Sequence, residues 1–417
     1  MLRKNKILLI FLILISMFCS SCSEDVQKRN NVNYLASPSF DTDEYLVQYD
    51  AVQKYNFLGT ELCETVDALY GVLYSTPDYL RYIDKSNGVN GILCGKPECT
   101  HSNYECNGYV MVGARGFSVY DNKIYWVGMI PQEEWYDTGD YLWCMDLDGR
   151  NRERLQPIDN EIHKLVSGNM DVQIHRGYLY FSGWSDSVQE ARGTRRVYIA
   201  VQKMDDSKSS AVILDKTYDA DVVDICVRLM ANDAYVMVTF QKPLNENTVV
   251  RGIEILRWNS KNRECEVIYE NACMDYIIQE MWIKNDRQIY LTGKISNNSP
   301  GSLWRINPEN KELEFCFDFG NTAYGHVYAI EEVVAAIAKI DGKYYVCAKD
   351  YQNNLLCEKQ VVVSNFVEEQ YARMICGGNT ENLYYEHILI KDGFVYGYMV
   401  EVPILEEKGR IIWESGR

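Results

Sequence analysis

Three features of the sequence predict an all-β fold built from seven four-stranded antiparallel blades, a β-propeller. A strand–turn–strand signature recurs seven times, a second hairpin signature follows most copies, and no segment keeps a helical period. The first signature reads "VDALYGVLY", "YDNKIYWVG", "HRGYLYFSG", "NDAYVMVTF", "NDRQIYLTG", "DGKYYVCAK" and "DGFVYGYMV". The fifth residues of these units are Tyr70, Tyr125, Tyr180, Val236, Tyr290, Tyr345 and Tyr396, at steps of 55, 55, 56, 54, 55 and 51 residues. Tyr, Val, Ile and Phe bounded by Asn, Asp and Gly are the mark of strands joined by tight turns.

The second signature includes "YLRYIDKSNG", "YLWCMDLDGR", "VYIAVQKMDD", "IEILRWNSKN" and "SLWRINPENK". It adds two outer strands, C and D, to the inner pair A and B. Units of four strands near 50 residues, repeated radially, make a propeller. The last unit runs out after "GRIIWESGR", so it is expected to lack its outer strand. The unpaired N-terminal "EYLVQYDAV" (Glu44 to Val52) is expected to supply that strand and close the ring, removing an exposed sheet edge.

The expected topology divides the loops between two ends. A–B and C–D turns share one end and are mostly tight ("DNK", "DGK", "DLDGR", "NPENK"). Asp146 and Asp148 in "MDLDG" suit a turn for backbone reasons and lack the later ligands of a calcium loop. B–C and D–A connections share the other end and include "MIPQEEWYDTGDY", "SGWSDSVQEARGTRR" and "QPIDNEIHKLVSGNM". Loops on a rigid scaffold tend to carry binding residues. The ligand-binding candidates are therefore Glu133, Glu134, Trp135, Tyr136, Asp137 and Asp140, with Trp184, Asp186, Arg192 and Arg195 in the next blade. Aromatic planes beside acids suit a sugar or a peptide. The competing reading is a solvated acidic loop whose aromatics pack on the blade edge.

The N-terminus carries Arg3, Lys4 and Lys6, then an apolar run from Ile7 to Phe18, then Cys19-Ser20-Ser21-Cys22. The run is too short to span a bilayer, which takes roughly 20 residues, and suits an export signal. The order resembles a bacterial lipoprotein signal cleaved before Cys22, whose thiol then takes lipid. This implies a signal peptide (1–21), a tether (22–43) and a propeller (44–417), held at the outer face of the cytoplasmic membrane. Without the signal, 39 basic residues face 59 acidic ones. A net charge near −20 argues against a nucleic-acid partner.

No nucleophile elbow, zinc-protease helix, phosphate loop or dinucleotide glycine fingerprint is present. Of the five histidines, His175 and His387 read as structural, and His163 and His326 have no local partner motif. Carboxylates are abundant, but no spacing singles out a catalytic pair.

The remaining chemistry lies in "LCGKPECTHSNYECNGY" (Leu93 to Tyr109), where Cys94, Cys99, His101 and Cys106 are spaced C-x4-C-x-H-x4-C. Three thiolates and an imidazole complete a tetrahedral structural zinc set. The alternative is a disulfide, Cys94–Cys106 or Cys99–Cys106. Most other cysteines are scattered singly through strand runs, as small buried residues would be, and so many thiols outside a membrane suggest a low-oxygen habitat. The stretch is expected in the connection between blades 1 and 2, on the long-loop end. Tyr82, Asp84, Leu93, Cys94, Lys96, Pro97, Cys99, His101, Cys106, Asn107, Gly108 and Tyr109 resemble a segment of uncharacterised β-propeller lipoproteins from anaerobic Gram-positive gut bacteria. That resemblance implies a fold and a location but no activity. The leading functional expectation is a membrane-anchored extracellular propeller that binds a ligand or protein partner. The rivals are a glycan hydrolase or lyase with funnel carboxylates and a structural or sensory subunit of a membrane complex.

Overall fold

The computed structural model describes residues 43–46, 50, 61–73, 76–111, 113–130, 139–162, 171–185, 195–245, 248–361, 370–378, 381–391, 394–404 and 410–414. The described residues form seven four-stranded antiparallel sheets, spanning 61–92, 115–157, 171–218, 221–274, 277–318, 326–361 and 370–414. In each, the strands pair in chain order, so every sheet is a simple meander. The chain is a β-propeller. Among the described residues no helix is long and apolar enough to cross a membrane.

The innermost strands are β1 (Glu61–Glu64), β5 (Arg115–Tyr120), β9 (Asp171–His175), β13 (Asp221–Met230), β17 (Ile277–Ile283), β21 (His326–Ile330) and β25 (Gln370–Gly378). Each approaches the inner strands of the next sheet, and β25 approaches β1. Apolar slabs fill the gaps between sheets. Phe117, Trp126 and Leu80 lie between the first two, Leu179, Phe181 and Leu142 between the second and third, and Trp304, Met281 and Met237 between the fourth and fifth. Sheets covered on both faces need continuous apolar strands. Accordingly all six residues of β2 (Ala68–Leu73) are buried.

Two expectations fail here. "DGKYYVCAK" and "DGFVYGYMV" are not A–B hairpins. Tyr345 lies on β23 (Lys343–Lys349) and Tyr396 on β27 (Phe394–Pro403), the third strands of their sheets. Asp341-Gly342, with φ of 50° and 77°, turns from the second strand to the third. A two-residue turn carries the same Asp-Gly signature wherever it occurs, so the reading slipped by one strand in the last two units. With the register restored, β28 (Arg410–Glu414) completes the seventh sheet from its own segment.

The closing strand is therefore not needed, and among the described residues of Glu44 to Val52 none is in a strand. Side chains join the first sheet to the seventh instead, through Leu69, Leu73 and Ile83 against Tyr384 and Met399. The N-terminal segment docks across the A–B turns of the third and fourth sheets. Asp50 is fully buried there. Its carboxylate accepts from Arg176 Nη2 (2.5 Å), the Ala231 amide (3.0 Å) and the Leu46 amide (2.8 Å), and lies 3.2 Å from His175 Nε2. Arg176 also donates to the Glu44 carbonyl (2.8 Å), and Asn232 donates to Asp43 (2.6 Å).

Candidate metal centre

The outer strand of the first sheet is built in two pieces. β4 (Asn90–Ile92) pairs with the far half of β3 (Thr76–Asp84), and the Leu93 amide extends it by donating to the Leu80 carbonyl (2.9 Å). The chain then leaves the sheet at Cys94. It returns at Gly108, whose carbonyl accepts from the Leu80 amide (2.8 Å), and Tyr109 bridges Tyr79. Residues 94–107 are thus an excursion from within the outer edge of the first sheet.

This corrects the expected placement. The excursion leans on the turn between β7 (Tyr141–Asp146) and β8 (Glu153–Pro157) of the second sheet, which belongs to the tight-turn end. The Gly95 amide and Asn107 Nδ2 both donate to the Gly149 carbonyl (2.9 and 2.8 Å). Arg152 donates to the carbonyls of Cys106 and Tyr109 (2.8 Å each) and Tyr104 (3.0 Å), tying three turns of the loop to one planar group. Asp146 and Asp148 serve the turn itself, accepting from Asn151 Nδ2 (2.7 Å) and the Arg150 amide (3.0 Å).

The excursion brings the four predicted ligand residues together. One ligand atom each from Cys94, Cys99, His101 and Cys106 lies within 4.8 Å of the others. His101 Nδ1 faces the Cys106 sulfur at 3.2 Å, so it is the ring nitrogen that points into the group. A tetrahedral zinc with Zn–S bonds of about 2.3 Å separates its sulfurs by roughly 3.8 Å, so the four atoms need close up by no more than about an ångström to share one ion. None of the three thiols is in a disulfide. Cys106 is fully buried.

The electrostatics favour a thiolate at Cys94 and oppose one at Cys106. Burial acts to raise the Cys94 thiol, but amide bonds from Lys96 and Asn107, with the Cys99 and Cys106 thiols, hold it below its ordinary value. Burial pushes the Cys106 thiol up to about 12, against the Gly108 amide and with the neighbouring sulfurs. Two cysteines therefore each receive the amide of the residue two places on, an outer contact that orients and stabilises a ligating sulfur. His101 sits at φ 53°, in the left-handed region, and its carbonyl accepts from the Tyr79 hydroxyl (2.8 Å).

Gly149 is required by this packing. It has φ 80°, and an added Cβ would stand 2.7 Å from the amide nitrogens of Cys94 and Gly95. Gly149→Ala is expected to cost at least about 1–2 kcal/mol from backbone conformation alone and to weaken metal retention. Thermal denaturation and metal content of the variant check this.

The other candidates are placed as follows. Cys22, Glu133, Glu134, Trp135, Tyr136, Asp137, Asp186 and Arg192 lie outside the described residues, as does His163. Asp140 is buried, and its carbonyl accepts from the Ile158 amide (2.8 Å). Trp184 is on β10 (Tyr178–Ser185), partly buried against the slab between the third and fourth sheets. Arg195 opens β11 (Arg195–Lys203) opposite Tyr218. His175 is structural, as expected, holding Asp50. Sequence reasoning missed Arg152, because its partners are backbone carbonyls more than 40 residues away that no motif reveals.

No protein family profile and no curated protein matches the chain. Solved structures do resemble it. A puromycin hydrolase matches with TM-score 0.53 and 11% identity over 90% of this chain and 57% of that one. A structure from a study of two prolyl endopeptidases matches with TM-score 0.52 and 10% identity over 89% of this chain and 50% of that one. A polysaccharide lyase of family PL25, an ulvan lyase, matches with TM-score 0.50 and 10% identity over 89% of this chain and 97% of that one. The chain thus spans little more than half of the hydrolase and half of the endopeptidase structure. At such identities the likeness is one of fold.

Proposed function

We propose that the chain is a lipid-anchored, extracytoplasmic, seven-bladed propeller that binds a glycan or protein ligand through its long-loop end, with a structural zinc ion clasping its first two blades. The observation that carries the zinc assignment is the convergence of three unbridged thiols and one imidazole within 4.8 Å. With four protein ligands the ion has no open position, so it would stabilise and not catalyse. Cys94, Cys99, Cys106 and His101 Nδ1 would hold it, and Arg152 and Gly149 keep the loop in place.

Seven sheets with apolar slabs between neighbours, including the first and the seventh, support seven blades. The charge-then-apolar-then-small order ahead of Cys22 supports the lipid anchor. The N-terminal segment lies against A–B turns, which leaves the opposite end with the longer connections as the natural binding end. The hydrolase, endopeptidase and lyase on similar scaffolds perform different reactions, so the fold itself does not select one.

Elemental analysis with free-thiol counting tests the zinc. The expected result is one zinc per chain, lost in Cys99→Ser. A metal-free chain with an intact bridge overturns it. Mass spectrometry of the membrane-extracted chain checks the lipid on Cys22. A glycan array with cross-linking from intact cells checks the ligand; no glycan and no partner at the long-loop end would overturn the binding reading.

A further inference from the structure

The long-loop end of the ring collects charged groups from four successive innermost strands. Asp171 is the first residue of β9, Asp224 the fourth of ten in β13, Glu280 the fourth of seven in β17, and His326 the first residue of β21. Each of these strands runs from the long-loop end towards its A–B turn, so Asp171 and His326 stand at that end, with Asp224 a few residues in and Glu280 at mid-strand, within reach of His326. They come from four sheets and share no sequence motif.

The group is organised. Glu280 accepts from Arg228 Nη2 (3.3 Å) and faces His326 Nε2 at 3.5 Å, while Gln279 Nε2 lies 3.3 Å from His326 Nδ1. Arg228 also donates to the carbonyls of Met281 (2.8 Å) and Val227 (2.9 Å), so its charge is directed into the wall. Asp224 differs. Its carboxylate accepts from the Ile225 amide (2.9 Å), and among the described residues no cationic side chain reaches it within ion-pair distance. Asp224 is exposed to solvent, yet surrounding protein and then the Glu280 charge push its carboxyl to about 7.

A second observation points the same way. Asp224 is directly opposite Thr239 on β14 (Asp233–Asn245), and Glu280 is directly opposite Thr292 on β18 (Ile289–Lys294). Residues opposed across an antiparallel pair share a face. Thr239 and Thr292 are 7% and 0% exposed, and neither hydroxyl has a hydrogen-bond partner among the described residues. Idle buried hydroxyls are costly. Beside carboxylates they extend a polar acceptor surface, which suits a donor-rich, positively charged group. A shared metal ion fits less well, because the Cys94 group is the described cluster with ligand atoms close enough for one.

We propose that this axial rim binds a ligand carrying a protonated primary amine, with Asp224 as its counter-ion and Glu280, fixed by Arg228, as a second acceptor. The proposal rests on the reading that the long-loop end is the binding end. An amino sugar of a glycan and the free amine of a peptide present the same ammonium group, so the test separates them.

The full chain is titrated by calorimetry with a chitosan tetramer and its fully N-acetylated form, and with trialanine and its N-acetylated form. The expected result is that one free amine binds at least tenfold more tightly than its acetylated counterpart. Asp224→Asn should weaken it at least tenfold, with melting temperature and zinc content unchanged. Equal binding of free and acetylated forms, no binding of either amine, or an unaffected Asp224→Asn variant overturns the proposal. Probe binding that persists in Asp224→Asn but falls in Trp184→Ala sinks the amine site and leaves the long-loop reading standing.

Discussion

Asp50→Ala is expected to destabilise the chain by about 3–5 kcal/mol, because it strips one partner from a buried ion pair. Arg176 is 2% exposed and would keep its charge in the interior without its carboxylate partner, while still donating to the Glu44 carbonyl. The amides of Ala231 and Leu46 and the His175 ring would lose an acceptor as well. The segment around Asp43 and Tyr45 should then detach from the A–B turns and become open to proteolysis. Chemical denaturation and limited proteolysis together read both effects. A variant as stable and as resistant as the parent would show that the segment does not dock. The pH dependence follows from the carboxyl. Burial acts to raise it, but the His175 bond and charge, the Leu46 amide and Arg176 outweigh that and lower it. A lowered carboxyl stabilises fully above its unfolded value, near 3.9, and loses that contribution as pH falls through its folded value. The gap between parent and Asp50→Asn should be constant above about pH 4 and shrink below it.

Stripping the proposed zinc should have the second large effect. If free zinc is held at about a thousand times Kd, the ion stabilises the folded chain by about 4 kcal/mol. Chelation should lower the melting temperature, and added zinc should restore it. The damage should stay local. Arg152, Asn107 and Gly95 tie the excursion to the second sheet without the ion, and the apolar slabs do not include it beyond Leu93 and Val110. Cleavage is therefore expected within residues 94–107 while the remaining sheets survive. Cys106→Ser, at the fully buried ligand, should reproduce the chelated state without chelator. A chain whose melting ignores both treatments holds no stabilising metal.

Much of the fold was legible because a strand's period and a turn's chemistry are local. Units one to five kept their register: Tyr70, Tyr125, Tyr180, Val236 and Tyr290 all lie on second strands. Units six and seven slipped because Asp341-Gly342 makes the same tight turn between second and third strands that others make between first and second. Nothing within nine residues distinguishes the two. The slip then created the false need for a closing strand from Glu44 to Val52.

The metal group was legible for the same local reason, since its four ligands lie within thirteen residues. Its placement was not, because it is fixed by pairing with Leu80 on the neighbouring strand and by Gly149, 42 residues beyond Asn107. The sequence by itself determined an all-β repeat, its tight turns and one compact set of soft ligands. Only the tertiary structure decided which strand each turn joins, that side chains of the first and seventh sheets meet, where Asp50 is buried, and that Asp171, Asp224 and Glu280 stand on the first strands of successive sheets. All but the first of those outcomes depend on contacts between residues about 50 to several hundred positions apart, whose pairing is set by packing and leaves no periodic trace along the chain.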